Sequence, residues 1–336
     1  MISKHITQTK AFVIGLLSFC YINTFWTLKA HADDSPDVAP EIIFQILASE
    51  IALISGNIAS AIVTYLDVAS KTGDIGAAKR ATELALAVRD HDSALKAAEI
   101  WQNNDSGDVD ASEALKALYL ITGKNKELIG RLVIERENSR KNKTLDNFYN
   151  EMNILVSKSS NASNALDIFE KVSYKDRYRP EVMYSRAMLY YRNGNKEKME
   201  DILRNLVKKK PDHVQALNAL GYSMADANKN LTEAFDLIKA ALTFSPQDPH
   251  IIDSMGWVYF RLGQLEMAEE WLEKAYIQQP DAEISAHYGE VLWNLSRKKD
   301  AIQVWQTGFN KEPTNAILLE TVDRLKVSID KLQDNN

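Results

Sequence analysis

Cysteine is almost absent from this chain of 336 residues, because Cys20 is the only one. A single thiol excludes a disulfide framework within the chain and zinc sites built from paired cysteines. Glycine and proline are also scarce, with 13 and 8 residues, and there is no long low-complexity tract. Together with an apolar content of 45 %, this composition predicts an ordered helical protein rather than a disordered one.

The motifs that carry enzymatic chemistry are missing as well. The sequence has no His-Glu-x-x-His, no Gly-x-Ser-x-Gly and no phosphate-binding glycine-rich loop. The histidines beyond residue 32 are far apart in sequence, whereas a metal site needs several ligands that converge; they are His91, His213, His250 and His287. We therefore predict that the protein is not an enzyme and has no catalytic residue, no cofactor and no metal.

Positive charge is in deficit, since the formal net charge is −6. The first 32 residues contain three lysines and no acidic residue, so without them the charge would be about −9. An acidic chain of this kind does not suit a general nucleic-acid binder. We predict no nucleic-acid partner.

The N-terminus has the pattern of an export signal. Lys4 and Lys10 precede an apolar run at residues 11–28, and Ala30-His31-Ala32 matches the small–x–small site at which signal peptides are cleaved. Residues 1–32 are therefore predicted to be a signal peptide, residues 33–39 a linker, and the location periplasmic.

Two alternatives for the N-terminus remain open. The apolar run is long enough to stay as an inner-membrane anchor. Alternatively, lipidation of Cys20 would make the protein an outer-membrane lipoprotein. In both cases the protein would associate with a membrane only through its N-terminus.

A sequence repeat organises the region from Pro211 to Pro313. Glycines recur at intervals of 35 and 33 residues, and alanines and prolines at intervals of 34 and 33; they are Gly221, Gly256 and Gly289, then Ala234, Ala268 and Ala301, then Pro246, Pro280 and Pro313. A period near 34 with small residues in each helix and proline at the junction is typical of tetratricopeptide repeats. Small residues let the two helices of a unit pack closely, and proline ends one unit before the next begins.

Helical periodicity extends on both sides of this region. Apolar residues recur at spacings of 3 and 4 from residue 40 onward, first in degenerate repeats over residues 40–179 and then in regular repeats over residues 180–314. Residues 315–332 are predicted to form one amphipathic capping helix. The fold class is therefore predicted to be all-α, a right-handed solenoid of about eight helix pairs and a C-terminal cap.

A concave groove is the candidate site of such a solenoid, because extended ligands bind where the first helices of the units line up. By resemblance to known tetratricopeptide repeats, positions 2, 5, 9, 12 and 13 of each unit face inward. The predicted groove residues are Tyr184, Met188, Tyr191, Arg192, Asn218, Tyr222, His250, Asp253, Trp257, Phe260, Arg261, Glu290 and Trp293. Aromatic and arginine side chains dominate binding energies. The alternative is that some rings, above all Trp257 and Phe260, pack between adjacent units.

Two stretches resemble a narrower family. Residues 40–101 begin with PEIIFQILASEIALISGN, and residues 217–315 include DPHIIDSMGWVYFRLGQLEMAEEWLEKAY and HYGEVLWNLSRKKDAIQVWQTGF. Both are similar to a proteobacterial family of exported tetratricopeptide-repeat proteins, often outer-membrane lipoproteins. A member of that family is an adaptor for a periplasmic carboxy-terminal processing protease. The resemblance implies a protein or peptide partner, for instance such a protease.

The sequence thus predicts a non-enzymatic scaffold or adaptor of the cell envelope that binds partner proteins in its concave groove. One alternative is an assembly factor for pili or outer-membrane complexes. Another is a cytoplasmic co-chaperone that grips a C-terminal carboxylate. That role requires Lys and Asn at matched positions of adjacent repeats, and Asn218 alone does not supply them.

Overall fold

The computed structural model describes residues 40–328, which form 17 α-helices and no strand within that range. The helices are α1 (Pro40–Ile54), α2 (Ile58–Thr72), α3 (Ile75–Ala87), α4 (His91–Asn104), α5 (Val109–Ile121), α6 (Asn125–Lys141), α7 (Leu145–Ser157), α8 (Ala162–Ser173), α9 (Pro180–Arg192), α10 (Lys196–Lys209), α11 (Val214–Asp226), α12 (Leu231–Phe244), α13 (Pro249–Arg261), α14 (Leu265–Gln278), α15 (Ala282–Asn294), α16 (Lys298–Lys311) and α17 (Ala316–Arg324). The predicted all-α solenoid is confirmed. The predicted signal peptide and linker lie outside the described residues.

Consecutive helices pack as pairs, from α1 with α2 to α15 with α16, and each pair stacks on the next. The first helices of neighbouring pairs also touch directly, as α11 touches α13 and α13 touches α15. This is the nearest-neighbour stacking of a solenoid, in which each unit buries its apolar faces against the units before and after it. Among residues 40–328, no helix is long and apolar enough to cross a membrane.

Short polar side chains start many of the helices. Asp74, Asp108 and Asp281 each accept a hydrogen bond from the backbone N–H three residues later, which satisfies a donor left unpaired at the helix start. The turn between the two helices of a unit often contains one residue with positive φ. That residue is Gly194 in one unit and Gly263 in another, where the missing Cβ makes the left-handed conformation accessible.

The repeated glycines explain how closely the helices of a unit approach each other. A Cβ added at Gly256 would lie 2.5 Å from Leu272 Cγ, and one at Gly289 would lie 2.6 Å from Trp305 Cδ1. Both distances are far below van der Waals contact. Gly256 and Gly289 therefore allow the first helix of the unit to lie directly against a large side chain of the second.

Replacing Gly289 with Ala should lower the free energy of unfolding by about 1–3 kcal/mol, because the Trp305 ring is fully buried and has no room to move aside. Gly130→Ala is a matched control, since Gly130 lies within α6 and an added Cβ there meets nothing within 4 Å. The control should raise stability by about 0.5–1 kcal/mol. Urea denaturation measures both, and a neutral Gly289→Ala would contradict the close approach.

The capping helix is shorter than predicted. The predicted helix runs to residue 332, but α17 ends at Arg324 with Leu325 as its C-cap. The reason is that Lys326 adopts a positive φ of 56°, which an α-helix does not accommodate. The amide of Val327 instead donates to the carbonyl of Val322 and closes the helix end. Residues 329–332 lie outside the described part of the chain.

Candidate protein-binding groove

The row of first helices curves inward across the last units. The Tyr222 hydroxyl on α11 lies 3.3 Å from Nε2 of His287 on α15, although the whole unit of α13 and α14 separates them in sequence. Packed helices lie roughly 8–10 Å apart, so helices two places apart in a flat row would be about twice as far from each other. Contact between their side chains indicates that α11, α13 and α15 form the inner side of a bend. We call this inner side, continued by α9 and α17, the groove.

A buried polar pair lies at the centre of the groove wall. His287 Nδ1 is 2.9 Å from Asp253 Oδ2, and both side chains are buried. Burial opposes protonation of the imidazole, but the Asp253 carboxylate outweighs it and raises the pKa of His287. Trp257 stacks on the same ring, with centroids 4.2 Å apart. His287 is thus held on three sides, by Asp253, Tyr222 and Trp257.

Three of the predicted groove residues lie within the wall rather than on its surface. Asp253 is 3 % exposed, Trp257 4 % and Glu290 3 %. Asp253 is occupied by His287, and Glu290 accepts a hydrogen bond of 2.6 Å from Arg324 on α17. These side chains hold α13, α15 and α17 together, and a ligand does not reach them in this arrangement. For Trp257 the structure agrees with the alternative that the ring packs between units.

The two predicted arginines cap the preceding units. Arg192 Nη1 donates to the Val156 carbonyl at 3.1 Å, and the same guanidinium also donates to the carbonyl of Ser159. Arg261 donates to the Asp226 carbonyl at 3.2 Å. In both cases the accepting carbonyl lies at or just beyond the end of the preceding first helix, where backbone acceptors lack partners. The main role of Arg192 and Arg261 in the described structure is therefore to join neighbouring units.

The remaining predicted residues are half-buried or exposed. Tyr191 is the most open aromatic, at 42 %, and the Lys196 ammonium lies 5.8 Å from its ring centroid. Lys298 covers Trp293 in a similar way, at 4.9 Å. Each ring therefore already faces a cation, which would have to move if a partner stacked there. The other members are half-buried and are Tyr184, Met188, Asn218, Tyr222, His250 and Phe260.

Several of these side chains also have identifiable partners. Tyr184 packs beside His213, with ring centroids 5.5 Å apart, and His250 Nε2 lies 3.0 Å from the Gln279 side chain. Asn218 differs, because its Oδ1 is buried and has no hydrogen-bond partner among the described residues. A buried carbonyl oxygen without a donor is costly. Asn218 thus retains unused hydrogen-bonding capacity.

Glu283 is a groove residue that the sequence reasoning missed. Burial raises the pKa of its carboxyl. The nearby His287 imidazole acts against burial, and the Asp253 and Asp281 carboxylates act with it. Within residues 40–328, no lysine or arginine lies at ion-pair distance from Glu283. The carboxylate also raises the pKa of the Tyr191 and Tyr222 hydroxyls, after burial as the main cause. The groove therefore contains a partly buried carboxylate near two tyrosines and the His287 imidazole, without a lysine or arginine of its own.

Among the described residues, no group of three or more His, Cys, Asp or Glu side chains could hold a metal ion. The His287–Asp253 pair has the composition of a general base, but both groups are buried, and the side chain at hydrogen-bond distance from the other ring nitrogen is the half-buried Tyr222. The arrangement offers side chains for recognition: tyrosine rings, an amide and a carboxylate.

Comparison with known proteins identifies the repeats. Family models described as tetratricopeptide repeat match residues 184–249 and 250–280. The TPR repeat-containing protein PA4667 of Pseudomonas aeruginosa is 43 % identical over 109 residues, which is 32 % of this chain and 18 % of that protein. The TPR repeat-containing protein YpiA of Bacillus subtilis is 23 % identical over 189 residues, 55 % of this chain and 44 % of YpiA.

The chain thus spans less than half the length of these curated relatives. Among solved structures, a thermophilic TPR protein of Thermus thermophilus aligns with 53 % of this chain and 97 % of its own, at 19 % identity and a TM-score of 0.46. The two matches together cover residues 184–280, which include α11, α13 and most of α9, three of the five helices that line the groove. The chain is an all-α solenoid that carries tetratricopeptide repeats.

Proposed function

We propose that this chain is a non-enzymatic scaffold or adaptor of the bacterial cell envelope that holds an extended segment of a partner protein in its groove. Tetratricopeptide repeats generally mediate protein–protein interactions. The observation that carries the proposal is the exposed Tyr191 ring on α9 and the half-buried Tyr222 on α11, which lie near the Glu283 carboxylate on α15, a group with no lysine or arginine at ion-pair distance. The envelope location rests on the predicted signal peptide at residues 1–32, and a processing protease as partner rests on the family resemblance.

The chemistry of the groove favours a partner segment with a positive charge. Two cations near the groove already have acidic partners: Lys196 pairs with Asp226 at 3.1 Å, and Arg324 pairs with Glu290 at 2.6 Å. Glu283 has no lysine or arginine at ion-pair distance, and burial raises its pKa and so disfavours its charge, although the His287 imidazole partly offsets this. A lysine or arginine of the partner would restore the charged form and could lie against the Tyr191 ring.

A binding measurement with defined probes tests this proposal. We expect a labelled, unstructured peptide with alternating lysines to bind the protein at least tenfold more tightly than a peptide of equal length with glutamates in their place. Glu283→Gln should weaken binding of the lysine peptide about tenfold, since a charge-assisted hydrogen bond contributes roughly 1.5–3 kcal/mol. Tyr191→Ala should weaken it by a similar factor through loss of ring contact. Fluorescence anisotropy at low and physiological salt gives these affinities.

Glu266→Gln serves as the matched control, because it removes the same charge from an exposed position on α14, a second helix of its unit. Equal effects of Glu283→Gln and Glu266→Gln would show that only overall charge attracts the peptide. Tighter binding of the glutamate peptide would contradict a cationic partner, although it would still be compatible with a scaffold that binds other segments.

A further inference from the structure

The first helix of the solenoid is apolar on two sides. The inner side of α1 packs on α2 and α3 through Ile42, Ile46 and Leu53. Five large apolar side chains of α1 are each more than half exposed: Ile43, Phe44, Leu47, Ile51 and Ile54. At roughly 100° per residue, these five fall within an arc of about 100° on the side away from α2. We call this arc the outer ridge.

A helix that is apolar on both sides is normally buried on both sides. Side chains of this size bury roughly 150–250 Å² each when aromatic and somewhat less when aliphatic, so the outer ridge presents on the order of 500 Å² of contiguous apolar surface. The largest apolar patch on a typical monomer is about 300–600 Å² and is often functional, so the outer ridge is a candidate interaction site. The standard interface buries about 800 Å² per partner, which the outer ridge and a polar rim would together reach.

We propose that a second copy of this chain covers the outer ridge, so that two solenoids dimerise through their α1 helices. A twofold dimer brings the same patch from both copies together, and a uniformly apolar stripe is complementary to itself. The charged residues of α1 favour a second protein copy over a membrane surface as the partner of the outer ridge. The helix contains no lysine or arginine to bind anionic lipid, and its only charged residues are Glu41 and Glu50.

The two carboxylates of α1 leave the outer ridge free for such a contact. Glu50 accepts a hydrogen bond from the Tyr65 hydroxyl and lies 3.9 Å from Arg80, so it is held toward the body of the solenoid. Glu41 lies in the first turn, at the edge of the helix. A dimer through α1 would place two grooves in one assembly. Partner segments that are themselves paired would then bind with an avidity that a single groove lacks.

Sedimentation equilibrium of the purified full-length protein tests the dimer. We expect a concentration-dependent dimer, and we expect the double variant Leu47→Glu, Ile51→Glu to raise its dissociation constant at least 100-fold. Neither side chain is among those that pack on α2, so the far-UV circular dichroism of the variant should equal that of the wild type. The matched control is Val109→Glu with Ile277→Glu, which adds two charges at similarly exposed apolar positions on α5 and α14 and should leave the dimer intact.

Other partners of the outer ridge would give different experimental results. A wild-type protein that stays monomeric at 100 μM would overturn the proposal. So would a chain that dimerises only after residues 33–39 are removed together with the predicted signal peptide, because that segment would then be the occupant. Flotation with phosphatidylglycerol vesicles that the double variant abolishes, without any dimer in solution, would identify a lipid surface and overturn the proposal as well.

Discussion

Trp305→Ala should lower the free energy of unfolding by about 3–5 kcal/mol, the typical cost of removing a buried aromatic ring. Trp305 has no exposed surface, and its indole N–H donates to the Ala286 carbonyl at 3.2 Å. The ring fills the space that Gly289 leaves open between α15 and α16. Its loss would therefore create a cavity at the junction of the last helix pair and remove the hydrogen bond that links the two helices through the Ala286 carbonyl.

Urea denaturation followed by circular dichroism measures this effect, with Trp271→Ala as the control of the same residue type. Trp271 is only partly buried and lies on α14, so its removal should lower the free energy of unfolding by clearly less than the removal of Trp305. In a solenoid, units can unfold separately, and the variant should therefore show early loss of the C-terminal units before the rest. Equal losses in the free energy of unfolding for the two variants would contradict the close packing of Trp305 against Gly289.

Asp253→Ala should be similarly damaging, at about 3–5 kcal/mol, because it leaves His287 buried without its charged partner. Asp253 is 3 % exposed and joins α13 to α15 through the imidazole. Asp236→Ala is the matched control, since Asp236 is exposed on α12 and its removal should change stability by less than about 0.5 kcal/mol. Denaturation at pH 6 gives the comparison. A small loss at Asp253 would show that the pair is not a stabilising contact.

The same pair predicts how stability depends on pH. Burial opposes protonation of His287, but Asp253 raises its pKa above the ordinary value of 6.5, so the folded protein binds the proton more tightly than the unfolded chain. The resulting stabilisation is fully present below pH 6.5 and is lost as the pH rises through the folded pKa. We expect the free energy of unfolding of the wild type to fall as the pH rises above 6.5. In Asp253→Asn this pH-dependent fall should be absent. A wild-type stability that rises over this interval would contradict the raised pKa.

The repeat pattern allowed the fold to be predicted because its cause is local. Gly221, Gly256 and Gly289 each stand where a Cβ would strike the facing helix, at Ile238, Leu272 and Trp305. Such a requirement recurs with each unit, and so it is visible as a period in the sequence. The end of α17 was less predictable. An amphipathic pattern continues beyond Arg324, but the left-handed conformation at Lys326 depends on how the chain packs there.

The sequence assigned the candidate groove residues to positions along the first helices, but it did not indicate how deeply each side chain is buried. Position 9 of successive units holds Met188, Tyr222, Trp257 and Glu290. The first two side chains are half-buried in the structure, and the last two are buried. Depth depends on the curvature of the row, which brings Tyr222 to His287 across an intervening unit. No spacing within one repeat encodes that contact. Glu283 could have been predicted from the sequence, because it occupies position 2 of its unit, the same position at which His250 was predicted to face the groove.

Site-specific photo-cross-linking in the native cell envelope tests the central claim most directly. A photoreactive residue at position 191 lies in the groove, and one at Ile277 lies on an exposed face of α14. We predict that position 191 forms a covalent adduct with a protein partner, through a segment that contains lysine or arginine, and that position 277 does not. Glu283→Gln should reduce that adduct. Adducts at position 277 but none at position 191 would contradict a partner-binding groove.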